Sequence, residues 1–283
     1  MPELAEVRWF AARWEAAGLG RTVRAVDLAT GARVFRDCDT DRLRRELPGR
    51  TLETMLTAGK QAAFVFSGGV WLGVHLGMTG RLFAASHRAE QPVWAREETG
   101  ETAPKAPDAK HDLLTLALDH GERLVFNDYR RFGKILFHAG PGEPAWWRDR
   151  APEILSPGFD AAYLDGILRR HPKLAVKPLL LDQSAFPGIG NWMADEVLWR
   201  AGIDPRTAAA TLTPTRRADL LRSLKTVCDD ALRIIAADWG TPPDTWLFPH
   251  RWKKGGACPA TGVPLVYETI GGRTTCRSPA KQR

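Results

Sequence analysis

The sequence predicts an α+β protein of two domains, a β-rich one opened by a helix and a helical one closed by a small hairpin. Three observations carry this prediction. Strand signals dominate from about residue 21 to 127, and helical ones from about 160 to 237. A Pro- and Gly-rich stretch, Gly140 to Pro157, lies between them and reads as a linker. The length, 283 residues, suits two cores rather than one.

The elements follow in chain order. Leu4, Val7, Ala11 and Trp14 share one face at helical spacing, and the pattern stops at Gly18 and Gly20, so residues 3–16 read as an amphipathic helix. Short strands follow to about residue 86, broken at Gly68-Gly69 and Gly80. Residues 87–110, with four glutamates and three prolines, read as an exposed loop. Leu113–Leu118 and Arg123–Asn127 flank the turn Asp119-His120-Gly121 and predict a β-hairpin. Helical patterns cover 160–170, 175–183, 190–201 and 214–237, and a last hairpin centres on Gly271-Gly272. The boundaries expected from this are 1–140, a linker at 141–158, 159–240 and 241–283.

Composition narrows the function. Forty Lys and Arg against 33 Asp and Glu give a formal charge of +7, which favours polyanions such as nucleic acid. No apolar run is long enough to span a bilayer, and the first residues carry acids where a signal peptide carries basic ones. The expected location is therefore the cytoplasm, with no membrane partner. Four scattered cysteines, Cys38, Cys228, Cys258 and Cys276, do not make a disulfide scaffold.

Two segments carry chemistry. In Met1-Pro2-Glu3-Leu4-Ala5-Glu6, removal of the initiator Met leaves a secondary amine at Pro2. An α-amine titrates at roughly 7.7–8.0, so part of it is neutral and nucleophilic at cellular pH. Such an amine can attack C1′ of a nucleotide, with Glu3 giving or taking the proton. Pro at the first helical position followed by acids is also an ordinary helix start. The second segment runs from Lys177-Pro178-Leu179-Leu180-Leu181-Asp182-Gln183 to Phe186-Pro187-Gly188-Ile189-Gly190-Asn191-Trp192-Met193-Ala194-Asp195-Glu196. One helix ends, two glycines turn the chain, and Asn191 opens the next helix. The backbone N–H groups there, with the Asn191 amide, suit a phosphate; equally, the glycines can serve only the turn.

Together these segments resemble the formamidopyrimidine-DNA glycosylase/endonuclease VIII (Fpg/Nei) family. The resemblance runs along almost the whole chain in the right order. It takes in Pro2-Glu3 with Glu6, Ala58-Gly59-Lys60, His75-Leu76-Gly77-Met78-Thr79-Gly80-Arg81 and Asp128-Tyr129-Arg130-Arg131-Phe132-Gly133. Pro152-Glu153-Ile154-Leu155-Ser156, the Lys177–Glu196 stretch and Gly271-Gly272-Arg273 complete it. It implies an N-terminal β-sandwich with its helix and a helix–two-turn–helix domain with a β-hairpin finger. It also implies a bifunctional DNA glycosylase/AP lyase of base excision repair acting on damaged double-stranded DNA, expected to work as a monomer. Pro2 would be the Schiff-base nucleophile, Glu3 would protonate the deoxyribose ring oxygen, and Lys60 would hold a phosphate beside the lesion. Met78, Arg130 and Phe132 would fill the gap left by the flipped nucleotide, which offsets lost stacking. Asn191 and Arg273 would grip backbone phosphates.

The sequence departs from the family pattern in four places, one of them the long insertion at residues 87–110. The two Cys-x-x-Cys pairs of the zinc-binding hairpin are reduced to Cys258-Pro259-Ala260-Thr261 and Cys276-Arg277-Ser278-Pro279. A structural zinc needs four ligands, so a zincless finger with no metal or cofactor is expected. The segment that caps a flipped 8-oxoguanine in bacterial members is short here, Gly240 to His250, and Ala5 stands where the family usually has proline. The intact Met78/Arg130/Phe132 set favours oxidised purines, 8-oxoguanine and formamidopyrimidines. An endonuclease VIII-like preference for oxidised pyrimidines, or lesion binding without cleavage, are the other readings.

Overall fold

The computed structural model describes residues 2–89, 107–252 and 255–283. Most of the stretch expected as an exposed loop, residues 90–106, lies outside the described residues. The chain divides into two compact units. The first holds residues 6–150 with Pro2, and the second holds 151–283 together with residues 3–5 at the chain start.

In the first unit the predicted N-terminal helix is α1 (Leu4–Gly18). Its face of Val7, Ala11 and Trp14 is fully buried. Among the described residues, eight strands form two antiparallel sheets of four. One has the order β1 (Val23–Leu28), β6 (Asp112–Leu118), β7 (Arg123–Asn127), β5 (Arg81–Ala84); the other has β2 (Leu52–Ala58), β3 (Gln61–Phe66), β4 (Val70–His75), β8 (Lys134–Ala139). Trp14 ties the two together. Its indole N–H donates to the Val125 carbonyl on β7 at 3.2 Å, and its ring lies 4.9 Å from that of Phe64 on β3. The β6–β7 hairpin forms as the sequence predicts, with Gly121 at φ 91° supplying the turn. A short helix, α2 (Thr40–Glu46), is capped by the Asp39 carboxylate, which accepts from the Arg42 N–H.

The stretch expected as a linker contains α3 (Ala145–Arg148). Trp147 on it is buried in a cluster with Ala58, Ala63 and Trp71 on the second sheet. Pro and Gly flank this turn of helix, which is why composition alone reads it as open chain.

The second unit is helical, with α4 (Ala161–Arg170), α5 (Val176–Leu180), α6 (Asn191–Ala201) and α7 (Pro214–Ala231). Asp160 and Thr213 cap α4 and α7, and Pro214 sits in the first turn of α7. The α6 helix stops at Gly202 in the left-handed region. The predicted last hairpin is β9 (Val266–Ile270) and β10 (Arg273–Arg277), turned by Gly271 and Gly272 at φ 57° and 74°. The C-terminal tail folds back on this unit, where the Gln282 amide donates to the Ile203 carbonyl at 3.0 Å. Among the described residues no helix is long and apolar enough to cross a membrane.

Truncating Trp14 to Ala removes a ring that engages both sheets. It is expected to destabilise the protein by about 3–5 kcal/mol, measured by denaturant unfolding followed through signals of the first unit.

Candidate active site

In the second unit the site is built on the first turn of α6. The Glu3 side chain is only 2% exposed, and its carboxylate lies against that turn. One oxygen accepts from the Gly190 N–H at 2.8 Å and the Met193 N–H at 3.1 Å; the other accepts from the Trp192 N–H at 3.0 Å. The Leu4 N–H donates to the Gly188 carbonyl at 3.1 Å, so the chain start is fixed by backbone as well as side chain. Pro2, half-buried, directly precedes this anchor.

This corrects the expectation that the helix start is open to a phosphate. Its N–H groups do hold an anion, as the dipole and unpaired donors of a helix start favour, but the anion is the protein's own Glu3, 187 residues upstream of Gly190. The two glycines also differ in purpose. Gly188, at φ 93°, makes the turn. Gly190 has an ordinary extended φ of −119°, and it is glycine because a Cβ there would sit 2.1 Å from the Glu3 carboxyl carbon.

Asn191 reaches the strand that carries Arg273. The Asn191 amide donates to the Thr274 carbonyl at 2.9 Å, next to Arg273, which is exposed at the start of β10. The amide N–H expected to grip a phosphate thus fixes the hairpin that carries Arg273. The short segment before the hairpin is fixed as well. Trp246, Leu247 and Phe248 are buried, the Phe248 N–H donates to the Glu196 carboxylate at 3.0 Å, and the Arg200 guanidinium stacks 4.4 Å from the Trp246 ring. Burial pushes the Glu196 carboxyl up, and Arg200 beside it opposes this. Cys258 and Cys276 are buried in an apolar cluster with Trp199, Leu247 and Leu265.

In the first unit Lys60 lies in the β2–β3 turn, after Gly59 at φ 55°, and is buried rather than solvated. Close to it is His75, a residue to which the sequence assigns no role. Burial first, then the charges of Lys60, Arg36 and Lys134, push the His75 imidazole down to about 4. Its Nδ1 accepts from the Gly77 N–H at 3.0 Å, which orients the turn carrying Met78.

Met78, Arg130 and Phe132 are brought together by Asp128, the first residue of the Asp128–Gly133 motif, to which the sequence assigns no role. Asp128 is fully buried and accepts from the Thr79 hydroxyl at 2.5 Å, the Arg130 N–H at 3.2 Å and the Gly133 N–H at 2.8 Å. It therefore ties the Met78 turn to the Arg130–Phe132 loop. The two backbones touch: a Cβ on Gly77 would lie 2.5 Å from the Phe132 carbonyl carbon. Phe132 is 45% exposed, which excludes core packing, and the Arg130 guanidinium lies 4.8 Å from its ring centre. Met78 is half-buried beside them. An exposed ring and guanidinium on a rigid base can enter a base stack.

Comparison with known proteins places the chain in a family. Residues 1–135 match the formamidopyrimidine-DNA glycosylase N-terminal domain and residues 151–239 the formamidopyrimidine-DNA glycosylase H2TH domain. The formamidopyrimidine-DNA glycosylase of Geotalea daltonii is 33% identical over 294 residues, covering all of both chains. That of Arabidopsis thaliana is 29% identical over 284 residues, covering all of this chain and 71% of the relative. Among solved structures, the Lactococcus lactis enzyme bound to DNA containing an oxidised pyrimidine is 25% identical and superimposes with a TM-score of 0.82, covering all of both chains. MutM in complex with DNA containing carbocyclic 8-oxo-G gives the same identity, coverage and TM-score. The chain belongs to the formamidopyrimidine-DNA glycosylase/endonuclease VIII family.

Two outcomes test the site. Gly190→Ala displaces Glu3 from its three donors and is expected to slow base release on the order of 10²-fold, as a misplacement of about 1 Å can, in single-turnover assays. His75 is expected to titrate near 4 by NMR. Its lowered pKa means the neutral form favours folding, fully above about pH 6.5, and that contribution is lost as the pH falls towards 4.

Proposed function

We propose that this chain, a DNA glycosylase of base excision repair with lyase activity at abasic sites, works through the amine of Pro2. The observation that carries the reading is the Glu3 carboxylate, held by three backbone N–H groups one residue from that amine. A carboxylate so fixed has no need to reorganise when charge develops beside it.

The reaction needs only the chain's own groups and water, which protonates the departing base. With Met1 removed, the neutral Pro2 nitrogen attacks C1′ of the damaged nucleotide, and the C1′–base bond breaks with its electron pair leaving on the base. Glu3 accepts the proton that the nitrogen sheds and returns it to the ring oxygen as the ring opens, leaving an iminium between Pro2 and C1′. Loss of a C2′ proton to water then expels the 3′ phosphate by β-elimination, loss of the C4′ proton to water releases the 5′ phosphate by δ-elimination, and water hydrolyses the remaining iminium to free Pro2. Lys60 and Arg273 would neutralise phosphates flanking the lesion, with affinity falling as salt rises. Met78, Arg130 and Phe132 would occupy the space of the extruded nucleotide.

The joined Met78 and Arg130–Phe132 loops favour oxidised purines, 8-oxoguanine and formamidopyrimidines, as substrates. A second reading rests on the burial of Trp246 to Phe248 against α6. That segment is not open to close over a base, which suits oxidised pyrimidines better. A base-release panel with all three lesions separates these.

Borohydride reduction on a duplex with an abasic site is expected to give a covalent adduct mapped by mass spectrometry to the N-terminal peptide. A variant with residues added before Pro2, which turn its amine into an amide, is expected to give none. An undiminished adduct in that variant, or one mapped to Lys60, overturns the assignment.

A further inference from the structure

The geometry points to Asp195 as the residue that positions Arg273: we propose that a buried ion triad of Asp195, Lys177 and Arg251 holds the C-terminal hairpin where relatives of the four-cysteine pattern use a metal. The inference rests on the reading of Arg273 as a phosphate contact.

The residues at the hairpin do not fit a structural zinc. Only Cys258 and Cys276 offer thiolates, since Thr261 and Pro279 occupy the other two places of the pattern. Cys258 Sγ accepts from the Trp199 indole N–H at 3.3 Å, and both cysteines lie in an apolar cluster. Among the described residues no three His, Cys, Asp or Glu side chains lie together as a metal would require.

What holds β10 is ionic. Asp195, on α6, is fully buried and engaged on both oxygens. One accepts from Lys177 Nζ on α5 at 2.6 Å; the other accepts from the Arg251 guanidinium at 2.8 Å and from the Cys276 N–H on β10 at 3.1 Å. Lys177 Nζ donates in turn to the Thr274 carbonyl at 3.0 Å, beside the bond from Asn191 to the same oxygen. Burial pushes the Lys177 amine down, and Asp195 opposes this. The hairpin turn presses on α5 as well, for a Cβ on Gly271 would lie 2.5 Å from the Pro178 ring. The strand is thereby pinned at Thr274 and Cys276, and Arg273 projects from the pinned end. Asn191 and Asp195 stand one helical turn apart on the same face of α6, so a single face of the helix sets the position of the hairpin.

The test is the salt dependence of binding to a duplex with an abasic site. Loss of one phosphate contact lowers the slope of log K against log salt by about 0.9. Arg273→Ala is expected to lose that amount. Asp195→Asn, nearly isosteric but uncharged, is expected to lose a similar amount while remaining folded by circular dichroism, and the double variant no more than either alone. Lys177→Met, which leaves Asp195 to Arg251, is expected to shift the slope the same way and decides the matter if Asp195→Asn fails to fold. Wild-type protein dialysed against EDTA is expected to keep its slope and its thermal midpoint. A wild-type slope in folded Asp195→Asn, or stoichiometric zinc whose removal lowers the slope, overturns the proposal. Wild-type trapping on the abasic duplex is the control: its absence would count against the Pro2 mechanism, whereas its presence with an unchanged Asp195→Asn slope would sink only the ion triad.

Discussion

The first turn of α6 is the constraint on which the second unit depends. A helix start leaves N–H groups without intrahelical partners, and burying them unpaired is costly. Here Gly190, Trp192 and Met193 are satisfied by one carboxylate, that of Glu3. Hydrogen bonds to a charged acceptor contribute roughly 1.5–3 kcal/mol each, so the first residues of the chain are held by the same interaction that fixes the Glu3 carboxylate beside Pro2. Gly190 exists to permit that approach.

Further along the same helix, Asp195 and Glu196 carry the constraint outward. Asp195 reaches the hairpin, and Glu196 reaches the segment before it through the Phe248 N–H. Removing one partner from a buried ion pair typically costs about 3–5 kcal/mol, because the remaining charge is stranded. Lys177, Asp195 and Arg251 are accordingly interdependent. The arrangement also explains how a short segment between the last long helix and the hairpin can be rigid, since Trp246, Leu247 and Phe248 are covered by α6 rather than by solvent.

The first unit solves a similar problem with other means. Two loops that must present side chains outward are held from within by a buried carboxylate, Asp128, and by a neutral imidazole, His75. Neutrality of His75 follows from burial among Lys60, Arg36 and Lys134. A second cation there would add repulsion where the site already gathers positive charge. The exposed Phe132 and Arg130 are thus the outer ends of a well-packed base, which is what lets an apolar ring stay at the surface without collapsing inward.

Much of this was legible in the sequence because it is local. Apolar spacing located α1 and the helices of the second unit, the Asp119-His120-Gly121 turn located the β6–β7 hairpin, and ordered motifs pointed to Pro2, Glu3, Lys60, Met78, Arg130, Phe132, Asn191 and Arg273. Short α3 was missed because a single turn of helix amid Pro and Gly has no periodic signature, and only the packing of Trp147 reveals it. The partners of the site residues were likewise out of reach. That Glu3 occupies the α6 start, that Asp128 joins two loops, and that Asp195 meets Lys177, Arg251 and Cys276 are contacts between residues far apart in the chain. Sequence determines which groups are available and what local structure they favour; the tertiary fold decides which buried donor meets which buried acceptor, because that pairing is fixed only when desolvation forces every such group to find a partner.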